Sequence, residues 1–140
     1  MRLGELLIQK GVITESQLLS ALSRHFRTHD MLGECLILDG VITEQTMLMA
    51  VSEQTGIRYM DNIPKDVFTE FSLSLMTSKI ANNLCAIIGE NEFGLMVFIN
   101  GNPENIKPLI EGSGKEVEFF LCKKSQIRQA ISTAYHRVRH

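Results

Sequence analysis

Two leucine–glycine pairs, Leu3-Gly4 and Leu32-Gly33, stand 29 residues apart, and each opens a segment with the same succession of residue types. Each pair reads as the first turn of a short helix. Backbone N–H groups there lack a partner within the helix and can donate to a phosphate or carbonyl oxygen. Glycine has no Cβ, so a ligand can approach the backbone closely; the same property also permits close helix packing. Arg2 precedes the first pair and can hold an anion through two parallel hydrogen bonds. Further along come two i,i+4 apolar pairs, Leu18 with Leu22 and Met47 with Val51, each followed by a polar residue, His25 and Gln54. Such pairs suit a core stripe or a contact with a flat ring, and Gln54 offers both a donor and an acceptor.

These residues belong to an internal duplication. Residues 3–25 align with 32–54 without a gap, with 13 identities in 23 positions. Two equivalent units in one chain can form a pseudo-twofold site, which suits a ligand or partner with its own twofold character. The elements that position the site follow from the same pattern. A short helix in each copy stops at Gly11 or Gly40, where glycine adopts the left-handed conformation without penalty. Val-Ile follows, and then Thr14 or Thr43 caps a longer helix, with Glu15 or Glu44 in its first turn. Thr14 with Gln17 also has the spacing of a capping box. The segment Phe26–Asp30 links the copies, and Thr55-Gly56 reads as the hinge to the rest of the chain.

After residue 56 the period changes. Ile57–Tyr59 reads as a short edge strand, and Pro64–Lys79 as a helix with Pro64 in its first turn. Leu84–Gly89 and Phe93–Ile99 read as strands joined by a hairpin at Glu90–Glu92. Asn102-Pro103 opens a helix near Glu104–Glu111, Val117–Leu121 is a strand, and Ser125–Val138 a last helix whose end frays through His140. The expected class is α+β. A tandem-repeat helical unit (1–56) packs on a small three-to-four-stranded sheet with helices on one face, in the order αββαβα (57–140).

Composition excludes several functions. The 140-residue chain is 44% hydrophobic with a net charge of −2. That leaves no basic footprint for nucleic acid. No apolar run approaches the roughly 20 residues needed to span a bilayer. The charged start, Met-Arg-Leu-Gly-Glu, is not a secretion signal, which makes the cytoplasm the expected location. Cys35, Cys85 and Cys122 are odd in number and apolar in context, so they read as buried thiols. Gly112-Ser113-Gly114-Lys115 is not a P-loop, because Leu109 stands where the first glycine belongs and Glu116 where Ser or Thr belongs. His25 and His29 stand at i,i+4 beside Asp30, a spacing that could seat a metal, but there is no His-Glu-x-x-His pattern and no metal site is expected. No nucleophile–base grouping stands out, so no enzyme activity and no cofactor is expected.

Arg2-Leu3-Gly4, Gly11, Leu18, Leu22 and the polar residue at 25 make a 24-residue motif, and a second copy follows after a five-residue spacer. Downstream come Asn102-Pro103, Gly114-Lys115-Glu116-Val117 and Ile127-Arg128-Gln129-Ala130-Ile131 with Tyr135. This pattern resembles the N-terminal domain of type II secretion and type IV pilus assembly ATPases, the GspE/PilB/MshE N-domain, over roughly residues 2–136. The resemblance implies a non-catalytic regulatory and docking domain. Its partners would be an ATPase motor domain, in cis or in trans, and an inner-membrane assembly protein that holds it at the membrane periphery. It also implies a candidate ligand, cyclic di-GMP, with half of the dinucleotide on each motif copy. Carried onto this chain, the ligand-binding set is Arg2, Leu3, Gly4, Leu18, Leu22, His25, Leu32, Gly33, Met47, Val51, Gln54 and Asn102. Three positions depart from the family pattern: His25 stands for Gln, Met31 for Arg, and Asn102 for Asp. The alternative is an adaptor that meets its membrane-anchored partner through an apolar face and binds no nucleotide.

Overall fold

The structure is a computed structural model that describes residues 2–138, and it divides into two compact units, the first ending at Gly56 and the second beginning at Ile57. The first unit holds α1 (Leu3–Gln9), α2 (Glu15–Thr28), α3 (Leu32–Leu38) and α4 (Glu44–Thr55). Both short helices stop in the same way. Gly11 and Gly40 have φ of +74° and +73°. The Gly11 N–H donates to Ile8 O at 2.9 Å and the Val12 N–H to Leu7 O at 3.0 Å; Gly40 and Val41 repeat this on Ile37 and Leu36 at 3.0 and 3.1 Å. This paired closure satisfies the last helical carbonyls and turns the chain. The next helix starts at once. Thr14 Oγ1 accepts from the Gln17 N–H at 3.1 Å while Gln17 Oε1 accepts from the Thr14 N–H at 2.8 Å, the expected capping box. Thr43 caps α4 through the Thr46 N–H at 3.1 Å.

Across the copies, α1 packs on α4 and α2 on α3. Equivalent residues are buried in both: Leu7 and Leu36, Ile13 and Ile42, Ala21 and Ala50. The equivalence breaks most at one large side chain. Leu48 is fully buried, whereas its counterpart Leu19 is 63% exposed.

The second unit carries β1 (Arg58–Tyr59), α5 (Glu70–Ser74), α6 (Ser78–Leu84), β2 (Ala86–Asn91), β3 (Gly94–Ile99), α7 (Lys107–Ile110) flanked by single 3₁₀ turns, β4 (Val117–Leu121) and α8 (Lys124–Val138). The sheet order is β1-β4-β3-β2, with β2–β3 antiparallel and the other two pairings parallel. The fold class is the expected α+β. The three cysteines are free and buried. Burial raises the Cys122 thiol to about 12. Among the described residues no helix is long and apolar enough to cross a membrane. Arg139 and His140, assigned from sequence to the fraying end of α8, lie outside the described residues.

Three expectations are corrected. Pro64–Lys79 is not one helix but two short ones, α5 and α6, and Pro64 lies outside both. Thr69 accepts from the Ser72 N–H at 3.0 Å and Thr77 from the Ile80 N–H at 3.2 Å, so each starts a new helix. Upstream, the Val67 carbonyl is bonded by the Glu90 N–H of β2 at 2.6 Å, which holds that stretch extended beside the sheet. The 104–111 segment is likewise broken into two 3₁₀ turns around α7. Finally, the sheet is covered on both faces rather than one. Consecutive residues Ile87-Ile88 and Val97-Phe98-Ile99 are buried, and neighbours along a strand point to opposite faces.

Two contacts fix the 66–72 stretch. A Cβ on Gly89 would stand 2.8 Å from Val67 Cγ2 and 3.1 Å from the Val67 carbonyl oxygen. Glu90 bonds Lys115 Nζ at 2.7 Å and accepts from Thr69 Oγ1 at 2.8 Å, while Lys115 lies 5.3 Å over the Phe71 ring. Substitution Gly89→Ala is expected to destabilise by about 1–3 kcal/mol in urea unfolding, despite the gain in strand propensity, because backbone blocks the new methyl. Lys115, and then Thr69, hold the Glu90 carboxyl below its ordinary value of 4.5. A depressed carboxyl adds stability above the ordinary value and loses it as pH falls through the folded value. Acid titration of stability should therefore be shallower below pH 4.5 in Glu90→Gln than in the parent.

Candidate ligand-binding site

Eleven of the twelve residues nominated from sequence lie in the first unit, and Asn102 lies in the second. Within each repeat the structure joins the glycine of the short helix to the long helix. A Cβ on Gly4 would come within 2.8 Å of Leu18 Cδ1, and one on Gly33 within 3.0 Å of Met47 Cγ and Sδ. The two contacts are equivalent under the 29-residue offset. Each glycine thus makes room for a side chain of its own repeat, and the open side of its backbone is occupied by Leu18 or Met47. Leu18 is half-buried and Met47 buried. Leu22 and Val51 are half-buried one turn further along.

The polar members are less alike. Arg2 is exposed, and neither Arg2 nor Met31 caps the helix it precedes with its side chain. Leu3 and Leu32 open α1 and α3 half-buried. His25 is half-buried, with Nδ1 directed at the Asp30 carbonyl oxygen. A carbonyl oxygen only accepts, so Nδ1 is the donor in that contact. Its counterpart Gln54 is exposed at the end of α4. Asn102 Oδ1 accepts from the Glu104 N–H at 2.9 Å, an N-cap role.

Two concavities lie elsewhere. A cleft of about 260 Å³ runs between α1 and α4, lined by Leu7, Lys10, Val12, Thr46, Met49, Ala50 and Glu53. A larger groove of about 650 Å³ in the second unit lies between the 62–68 stretch and α8, with Ile63, Phe68 and Ala134 at its base and Lys65, Gln129 and Arg137 along it. Neither contains a nominated residue. Sequence reading also passed over Lys10, Arg24, Asp39 and Glu53, which pair across the repeats as Lys10–Glu53 at 2.5 Å and Arg24–Asp39 at 2.6 Å. Their signal was available, since 10 and 39, and 24 and 53, are equivalent positions with opposite charge.

The sequence matches no protein-family model and no curated protein. Solved structures do match. A structure of MshE with cyclic di-GMP (cdg) superposes with a TM-score of 0.79 at 23% identity, covering 96% of this chain and 99% of that one. The N-terminal domain of XpsE superposes in two crystal forms. One has a TM-score of 0.69 at 15% identity, covering 94% and 92%; the other has 0.57 at 16%, covering 91% and 90%. The chain has the MshE and XpsE N-terminal fold. The match takes in both repeats and the mixed sheet, since nearly the whole chain superposes.

The two interlocks carry a rank order. The atoms blocking a methyl at Gly4 are the tips of a half-buried leucine, which can swing outward, whereas Met47 is buried and its Cγ is in the way. Gly33→Ala is therefore expected to destabilise by about 1–2 kcal/mol and Gly4→Ala by less, measured by chemical unfolding of each variant.

Proposed function

We propose that this chain is a non-catalytic regulatory and docking module of a secretion or pilus assembly ATPase, and that its tandem repeat binds cyclic di-GMP. The observation that carries the reading is the pair of matching repeats, folded alike, in a chain that superposes over nearly its whole length on a protein solved with that dinucleotide. A ligand built of two identical halves has equal use for each repeat. Leu18 with Leu22, and Met47 with Val51, offer apolar surface to the guanine faces. Arg2, His25 Nε2 and Gln54 offer polar contacts at the periphery. Because Leu18 and Met47 lie over the glycines, a ligand that reaches Gly4 or Gly33 turns those side chains aside, and Leu18, half-buried, moves more readily. The motor would act in cis or in trans, and an inner-membrane assembly protein would be the docking partner.

One observation favours a second reading, an adaptor with no nucleotide. Leu19 and Phe26, seven residues apart on one face of α2, are 63% and 73% exposed. A stripe of that kind on a soluble domain marks an interaction surface.

Titration calorimetry separates the two. Binding predicts saturable heat with cyclic di-GMP that Arg2→Ala or Gln54→Ala weakens. Met31→Arg restores a charge-assisted contact worth about 1.5–3 kcal/mol and so tightens binding about tenfold or more. Absence of heat at high micromolar ligand, in both the parent and Met31→Arg, leaves the adaptor.

A further inference from the structure

The two repeats are related by a 29-residue offset, and at two equivalent positions their charges are opposite. The residue capping the C-terminus of the short helix is Lys10 in the first copy and Asp39 in the second. The tenth residue of the long helix is Arg24 in the first copy and Glu53 in the second. The structure pairs these positions across the copies: Lys10 with Glu53 where α1 meets α4, and Asp39 with Arg24 where α2 meets α3. The two bridges are thus one contact seen twice under the pseudo-twofold, with polarity reversed.

A symmetric pair of identical repeats could not make these contacts. Two copies of the first repeat would set Lys10 against Arg24 in both seams, and two copies of the second would set Asp39 against Glu53. We infer that this exchange of charge is a recognition device: the face of each repeat fits a repeat of the opposite sign and rejects one of its own kind. The apolar seam residues do not discriminate in this way, because Leu7 matches Leu36 and Ala21 matches Ala50. Repulsion between like charges is what supplies specificity where attraction is common to all pairings. The inference concerns how the repeats choose each other and does not rest on any ligand.

The test holds net charge constant. Exchange at the first position, K10E with D39K, leaves the formal charge at −2 yet sets like charges together in both seams. It also moves the cation between two equivalent helix C-termini, so macrodipole effects cancel. Exchange at the second position, R24E with E53K, does the same from the other side. The full-length chain carrying either exchange should melt about 3–6 °C lower by circular dichroism. The quadruple variant, with both bridges rebuilt in reverse, should return to within about 2 °C of the parent. The loss in each double variant should shrink in about 1 M salt, where the Debye length is roughly 3 Å. A quadruple variant whose loss is the sum of the two doubles, or doubles that melt like the parent, would overturn the proposal.

Discussion

The backbone corner at Gly11 and Gly40 governs the first unit. A left-handed glycine closes the short helix, two apolar residues cross over, and a threonine side chain opens the next helix. All of it is local: every hydrogen bond spans at most five residues. The angle between short and long helix is therefore set by dihedrals and capping before any packing takes place. Once both corners are made, Leu18 falls over Gly4 and Met47 over Gly33. The buried pairs Leu7 with Leu36 and Ile13 with Ile42 are then available to the interface between the copies. The same twenty-odd residues, written twice, thus give two copies of one shape.

That locality explains what could be read from the sequence. Glycine stops, threonine caps and the repeat offset placed all four helices of the first unit, and alternation with hairpin residues placed β2, β3 and β4 within two residues. The misreadings fall where local signals compete. Pro64–Lys79 contains enough apolar residues for one helix, but Thr69 and Thr77 each take up backbone N–H groups and restart the chain. The bond from Glu90 to the Val67 carbonyl is a long-range contact that no local pattern announces. In the same way, the depth to which Leu48 is buried and Leu19 exposed cannot be inferred from two positions occupied by the same residue.

The repeat framework around the candidate site was legible in the sequence, and the surroundings of its side chains were not. Symmetry drew attention to two matching segments, and the structure folds those segments alike. The roles of individual side chains needed coordinates. Asn102 is engaged as a cap, His25 reaches back to the linker, and the glycines are sheltered by their own repeats. The four charges at 10, 24, 39 and 53 show the reverse case. Their reversal of sign at equivalent positions stands in the sequence, and the pairing across the copies gives it its meaning.

The stiff corners have a consequence for how this unit can move. Each corner is pinned by a glycine closure before it and a threonine cap after it, and Leu18 over Gly4 or Met47 over Gly33 ties the two helices of each pair into an elbow. The seams between elbows are held at their polar edge by two solvent-accessible bridges, which yield and re-form easily. The weakest polar ties in the unit therefore lie between the elbows and not within them, and the chain crosses from one elbow to the other only at Phe26–Asp30.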